Sequence, residues 1–325
     1  MKENNKQTIF DLCCHLREII SARTDIRQDF IQNCLADEQT GDARLFAKAV
    51  AKFVLFDTDA RRWYAFYRHH WHEVSDKVIP HVISDVLQVV YSRLNQNADR
   101  HVQTDLAKRF GQLNRNPYLK NIVELATGCP EIGISPSWNA TPFLLPCQNG
   151  VVDLTTGILR SGLAGDYINR WAPLNYAGME TPAPAFEKFL DEIFAGNREM
   201  IDFIQRLFGY GLSGTALEHI LPIFHGEGRN GKDTLIETIG AVLGMDLSYP
   251  LPSDFLASHM NSSSDAPSPA VSNLRGKLLV WSNEFENTKW LNEAKVKYLT
   301  GGNTIQSRPL YQDYTSFEPT FLLIM

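Results

Sequence analysis

The sequence predicts an α/β fold whose C-terminal part is built around a phosphate-binding loop, preceded by a region of helices and small strands. Three observations carry this expectation. The segment Gly226-Glu227-Gly228-Arg229-Asn230-Gly231-Lys232-Asp233-Thr234 stands between a short apolar run and a helical pattern. Leu278-Leu279-Val280-Trp281-Ser282 is a continuous apolar run ending in Asn283-Glu284, the pattern of a buried parallel strand that delivers an acid to the sheet edge. Upstream, apolar residues recur at helical spacing in several separate stretches.

In chain order, Ile9, Leu12, Cys13, Leu16, Ile19 and Ile20 share one face of an amphipathic helix over about 7 to 23. Asp42 is a reasonable N-cap for a second helix containing Leu45, Phe46, Ala49, Val50 and Phe53. The stretch from Trp63 to Trp71 reads as an aromatic-rich hairpin, and Asp57-Thr58-Asp59 as the exposed turn that leads into it. Pro80 lies early in a helix carrying Ile79, Val82, Ile83, Val86 and Val90. Several Pro and Gly make residues from about 114 to 145 mostly turns and short pieces. Asn149-Gly150 and Thr156-Gly157 then divide a meander of small strands. Pro182 and Pro184 mark a linker. Beyond it, Phe186, Phe189, Leu190, Ile193 and Phe194 form one helical stripe, and Ile201, Ile204, Leu207 and Phe208 another. The expected division is a helical segment at 1–40, a mixed α+β region at 41–180, a helical collar at 181–215 and the nucleotide domain at 216–325. Residues 261–269 read as a Ser-rich loop.

With 325 residues, 44% of them hydrophobic and 21% charged, the composition is that of an ordinary globular protein with room for two or three domains. A formal charge of -6 means that any nucleic-acid contact comes from a local patch or a ring of subunits. The five cysteines lack C-x-x-C spacing, which argues against zinc and for a reducing compartment. The N-terminus is charged, and no apolar stretch reaches roughly 18 residues, so a cytoplasmic protein without a membrane partner is expected.

The loop has a physical logic. Closely spaced Gly226, Gly228 and Gly231 let backbone N–H groups converge on one phosphate, and a helix start adds its positive dipole end. Lys232 then reaches the outer phosphates as a point charge, and Asn230 completes the turn. Ile220-Leu221-Pro222-Ile223-Phe224 reads as the buried strand before the loop, and Leu235, Ile236, Ile239, Val242 and Leu243 as the helix after it. The residue following such a lysine is usually Ser or Thr, whose hydroxyl ligates magnesium. Here it is Asp233, itself a hard oxygen ligand, with Thr234 next for the α-phosphate. ATP and Mg2+ are the expected cofactors.

After the second motif, Glu284 is the candidate base that polarises water, with Glu286 as fallback. In ring-forming ATPases this motif often ends Asp-Glu, and Asn283 stands in place of that Asp, so Asp233 and Glu284 together are the expected metal carboxylates.

Asn230-Gly231-Lys232, Asn283-Glu284 and the run from Leu299 through Thr300-Gly301-Gly302-Asn303 to Ser307-Arg308 together resemble the phage and plasmid primase-helicase family, related to the poxvirus primase-helicase. Upstream, Asn149-Gly150-Val151-Val152-Asp153-Leu154 and Phe208-Gly209-Tyr210 through Ser213-Gly214 resemble the domain that this family places before its helicase. The resemblance implies a superfamily 3 helicase. Such a protein is an AAA+ ATPase that forms a ring, commonly a hexamer, on single-stranded DNA. It also implies a primase as partner, and no primase signature is visible in this chain.

In this family the segment 299–317 forms a pore hairpin, where one cation per subunit becomes a ring of charge. Arg308 is the first DNA-contact candidate and Lys297 the second. Tyr311 and Tyr314 are candidates for base stacking, and Asn303 stands where the family often has Asp. Phe321-Leu322-Leu323-Ile324-Met325 reads as the next core strand, and the family places a polar sensor and an interface arginine beyond it. A truncated AAA+ core, poor at hydrolysis, is therefore expected. The alternative is a scaffold that binds nucleotide and DNA without hydrolysis, favoured by Asp233 and Asn283. A small-molecule kinase is a third reading, for which no arginine-bearing lid is visible.

Overall fold

The protein is described from a computed structural model that covers residues 14–23, 25–95, 99–252, 255–257, 269–282, 290–307 and 315–325. The chain divides into two compact units, Met1–Ser137 with Leu163–Asn169, and Trp138–Gly162 with Arg170–Met325.

The first unit combines helices with a small sheet. The amphipathic stripe at the start is α1 at 14–22, with Leu16 and Ile20 buried; Ile9, Leu12 and Cys13 lie outside the described residues. It is followed by α2 (Gln28–Ala36), α3 (Glu38–Val50), β1 (Val54–Asp57), β2 (Arg62–Tyr67), β3 (His70–Val74) and α4 (Ile79–Asn95). Next come α5 (Arg100–Gln112), α6 (Asn116–Thr127) and β4 (Gly133–Ile134). The sheet order is β3-β2-β1-β4, antiparallel except for the β1–β4 pair, and β2–β3 is the expected aromatic hairpin. Phe46, Trp63, Ile83, Leu87, Tyr91 and Ile122 meet in one core.

Two expectations need correction here. Asp42 is not an N-cap: α3 starts at Glu38, and Asp42 is 0% exposed within it. Arg109 is ion-paired with its carboxylate, and the hydroxyls of Tyr91 and Tyr118 donate to it at 2.5 and 2.8 Å. A buried carboxylate persists only with such partners. Within 114–145, read as mostly turns and short pieces, the twelve-residue α6 forms; Pro117 is compatible with it because it falls in the first turn, where no N–H is needed.

The second unit begins with the expected meander β5 (Leu144–Cys147), β6 (Gly150–Asp153) and β7 (Ile158–Arg160), in the order β5-β6-β7. Pro184 opens α7 (Pro184–Ile193) as its first residue rather than lying in a linker. Asn197 caps α8 (Arg198–Leu212) by accepting from Met200 N at 3.2 Å. Next come α9 (Lys232–Leu247), β8 (Ser248–Leu251), α10 (Pro269–Ser272) and β9 (Leu279–Ser282), then α11 (Glu293–Thr300), β10 (Ile305–Ser307), β11 (Thr315–Phe317) and β12 (Leu322–Ile324).

The sheet that positions the candidate site is parallel, in the order β12-β9-β8. The run 220–224 joins it beyond β12: Phe224 N donates to Met325 O at 2.7 Å and Met325 N to Pro222 O at 3.0 Å, the slanted pattern of a parallel pair. This run was expected to be buried, yet Ile220 and Ile223 are 39% and 57% exposed, because it lies at the edge of the sheet among the described residues. Val242 is likewise 47% exposed on the outer side of α9. Ile204, Leu207 and Phe208 of α8 pack with Leu235, Leu279 and Leu322 in a single core, each worth about 1.5–3 kcal/mol of burial.

Candidate functional site

The loop at 226–231 leaves the edge run 220–224 and enters α9 directly. Gly231 is the N-cap of α9 with φ 85° and ψ 1°, a left-handed conformation that side chains disfavour. Arg229, two residues earlier, also has positive φ, 63°. A Cβ on Gly226 would stand 2.1 Å from Asn230 Nδ2, so only glycine admits the Asn230 side chain folded over it. Loop closure thus depends on residue types already conspicuous in the sequence.

Lys232 is the first residue of α9, and its Nζ turns back to donate to Gly226 O at 3.2 Å and to Asn230 Oδ1 at 3.1 Å. Among the described residues, no hydrogen bond runs from the backbone N–H groups of Glu227, Gly228, Arg229, Gly231, Asp233 or Thr234. Unpaired donors at a helix start, together with a lysine ammonium, are groups whose chemistry suits an anion. Asp233 and Thr234 lie exposed in the first turn of α9, beside Lys232.

Because the run 220–224 and β9 are parallel, their carboxyl ends emerge on the same edge of the sheet. β9 is flanked on both sides, and its last residue, Ser282, is buried. Asn283, Glu284 and Glu286 follow immediately and lie outside the described residues. Among the described residues, the end of β9 at Ser282 therefore lies on the same edge of the sheet as the loop.

The segment considered for DNA contact has a defined base. α11 is capped by Asn292, which accepts from Lys295 N at 3.0 Å, and β10 pairs antiparallel with β11. Tyr298 on α11 clamps β10 through its hydroxyl, which accepts from Gln306 N at 2.6 Å and lies 3.3 Å from Gln306 O. Lys297 is exposed, with Glu293 at 3.6 Å one helical turn away. Lys295 is engaged otherwise: it donates to Phe255 O at 2.6 Å, sits 3.6 Å above the Phe255 ring, and burial pushes its pKa down. Arg308, Tyr311 and Tyr314 lie outside the described residues, as do 261–268 of the Ser-rich stretch.

Sequence reasoning missed the Tyr298 clamp and the packing of α7 against the loop, because each joins residues whose spacing shows no pattern. Asp57, half of the Asp57-Thr58-Asp59 turn, is 3% exposed and accepts from Asp59 N and Ala60 N at 3.0 Å each. It holds the β1–β2 turn. Among the described residues, no helix is long and apolar enough to cross a membrane.

Comparison with known proteins gives a consistent setting. Residues 43–195 match the family model described as D5 N terminal like. The chain is 29% identical over 281 residues to a protein of Acanthamoeba polyphaga mimivirus named "Putative helicase L207/L206", covering 80% of this chain and 29% of that protein. It thus spans under a third of the length of that relative. Two apo structures of the NrS-1 C terminal region align with it over 83% and 87% of this chain and 52% and 56% of theirs, at 10% and 12% identity and TM-scores of 0.38 and 0.43.

Proposed function

We propose that this chain is part of an ATP-driven DNA helicase of a phage, plasmid or virus replication protein, with a superfamily 3 type AAA+ core. The observation that carries the reading is the loop itself: donor-rich backbone, Gly231 in a left-handed conformation and Lys232 at the start of α9, all at the carboxyl edge of a parallel sheet. The D5 N terminal like match and the mimivirus relative supply the replication setting.

In this reading ATP and Mg2+ bind at the loop, and magnesium supplies the electrostatic stabilisation of the charge that develops on the phosphates. Gly226, Gly228, Asn230 and Gly231 shape the cradle, and Lys232 leaves Gly226 O for the outer phosphates. Asp233 and Glu284 furnish metal carboxylates, Thr234 faces the α-phosphate, and Glu284 takes the proton of the attacking water. Arg308 and Lys297 carry the single-stranded DNA contact. Lys297 is free to exchange partners, since an exposed pair such as Lys297–Glu293 contributes only about 0–1 kcal/mol. A homo-oligomeric ring, a hexamer in the full protein, repeats these cations around one strand, with a primase as associated partner.

Asp233 after the lysine and Asn283 in place of a metal acid favour a second reading, a DNA-binding scaffold that holds nucleotide without turnover. ATP hydrolysis with and without single-stranded DNA separates the two. DNA-stimulated turnover that is lost in Glu284→Gln with ATP binding retained, and uncoupled from DNA in Arg308→Ala, supports the motor. Retained binding with no turnover supports the scaffold.

A further inference from the structure

α7 lies directly behind the phosphate loop. An ideal Cβ on Gly231 would stand 2.5 Å from Ile193 Cγ2 and 3.4 Å from Phe189 Cε2, so the Gly231 backbone is in tight contact with one face of α7. Ile193 and Phe189 are one helical turn apart, and both are half-buried against the core of α8, α9, β9 and β12. The contact falls on the residue that adopts φ 85° and hands the chain to Lys232. A displacement of that peptide moves the loop donors and the lysine together, whereas the sheet and the rest of α9 are held by their own packing.

We propose that Ile193, seconded by Phe189, is a positioning residue for phosphate recognition: α7 is the backstop that fixes where Gly231 lies and thereby aims the loop N–H groups and Lys232. This rests on the reading of the loop as a nucleotide site and adds to it a residue from a preceding helix that touches no nucleotide.

The prediction is selective for phosphate. In Ile193→Ala, affinity for ATP and ADP falls about tenfold, since small misplacements of positioned groups are costly. Binding of AMP, which lacks the outer phosphates, stays within about twofold, and Ile193→Val restores most of the loss. Gly231→Ala places a methyl both at a left-handed φ and against Ile193, and weakens ATP binding on both counts.

Calorimetric titration with ATP, ADP and AMP on the wild-type chain and these variants, with thermal melts alongside, decides the matter. ATP binding unchanged in Ile193→Ala, or equal losses for AMP and ATP, would overturn the positioning role while leaving the loop assignment standing. A wild-type chain that binds none of the three overturns both.

Discussion

The ammonium of Lys232 donates to the carbonyl oxygen of Gly226 at 3.2 Å, drawing the two ends of the loop together across Asn230. A phosphate oxygen competes for the same ammonium with a formal charge that neither neutral acceptor has. Lys232→Ala is expected to weaken ATP binding by at least about a hundredfold, roughly 2.7 kcal/mol. Lys232→Arg does not rescue it, because the planar guanidinium does not fit the space of a point charge. Fluorescent-nucleotide titration of both variants checks this.

Asp233 is exposed in the first turn of α9, beside the lysine. If it serves as a hard oxygen ligand, Asp233→Ala removes the magnesium dependence of ATP affinity while leaving affinity in chelator unchanged within about threefold. Titrations with magnesium and with EDTA give both numbers. A variant whose magnesium dependence persists takes Asp233 out of the metal role.

The local geometry of the loop and of β9 was largely legible in the sequence. Glycine spacing, the lysine and the continuous apolar run before Asn283 are local signals, and the structure places the loop and the end of β9 on one sheet edge. Asp42 was misread for the opposite reason. Its partners Tyr91, Arg109 and Tyr118 come from α4, α5 and α6, and nothing within its own helix distinguishes a capping acid from a buried one. Ile220 and Ile223 looked like core because apolar character alone does not say whether a strand lies at an edge. The contact of Ile193 with Gly231 is purely tertiary.

The Asp42–Arg109 pair lies inside the first unit, with side chains 0% and 6% exposed. Arg109 also donates to Leu35 O at 3.0 Å and Glu38 O at 3.3 Å, tying α5 to the α2–α3 junction. Asp42→Ala leaves the guanidinium buried without its counter-charge, and is expected to cost about 3–5 kcal/mol of stability. Urea unfolding measures it. Arg109→Met combined with Asp42→Leu is expected to cost less than Asp42→Ala alone, since no unpaired charge then remains.

Lys277 is 7% exposed, with its ammonium donating to Met245 O and to Asp246 O. Burial foremost, with Arg170 nearby and Asp246 opposing, lowers its pKa from 10.5 to about 8. The unfolded chain therefore binds more protons than the folded one between about pH 8 and 10.5, and stability rises with pH across that window. Relative to Lys277→Met, the wild-type protein is expected to gain up to roughly 3 kcal/mol between those limits. Denaturant unfolding of both proteins at a series of pH values reads the difference, and a flat or falling difference contradicts the buried-lysine assignment.

Calorimetric titration of the wild-type chain with ATP, ADP and AMP, with and without magnesium, tests most directly whether the 226–234 loop holds nucleotide phosphates. The expected result is binding of ATP and ADP at least about tenfold tighter than AMP, strengthened by magnesium. Equal affinity for all three, or binding indifferent to Lys232→Ala, would contradict the assignment of this loop and the motor reading built on it.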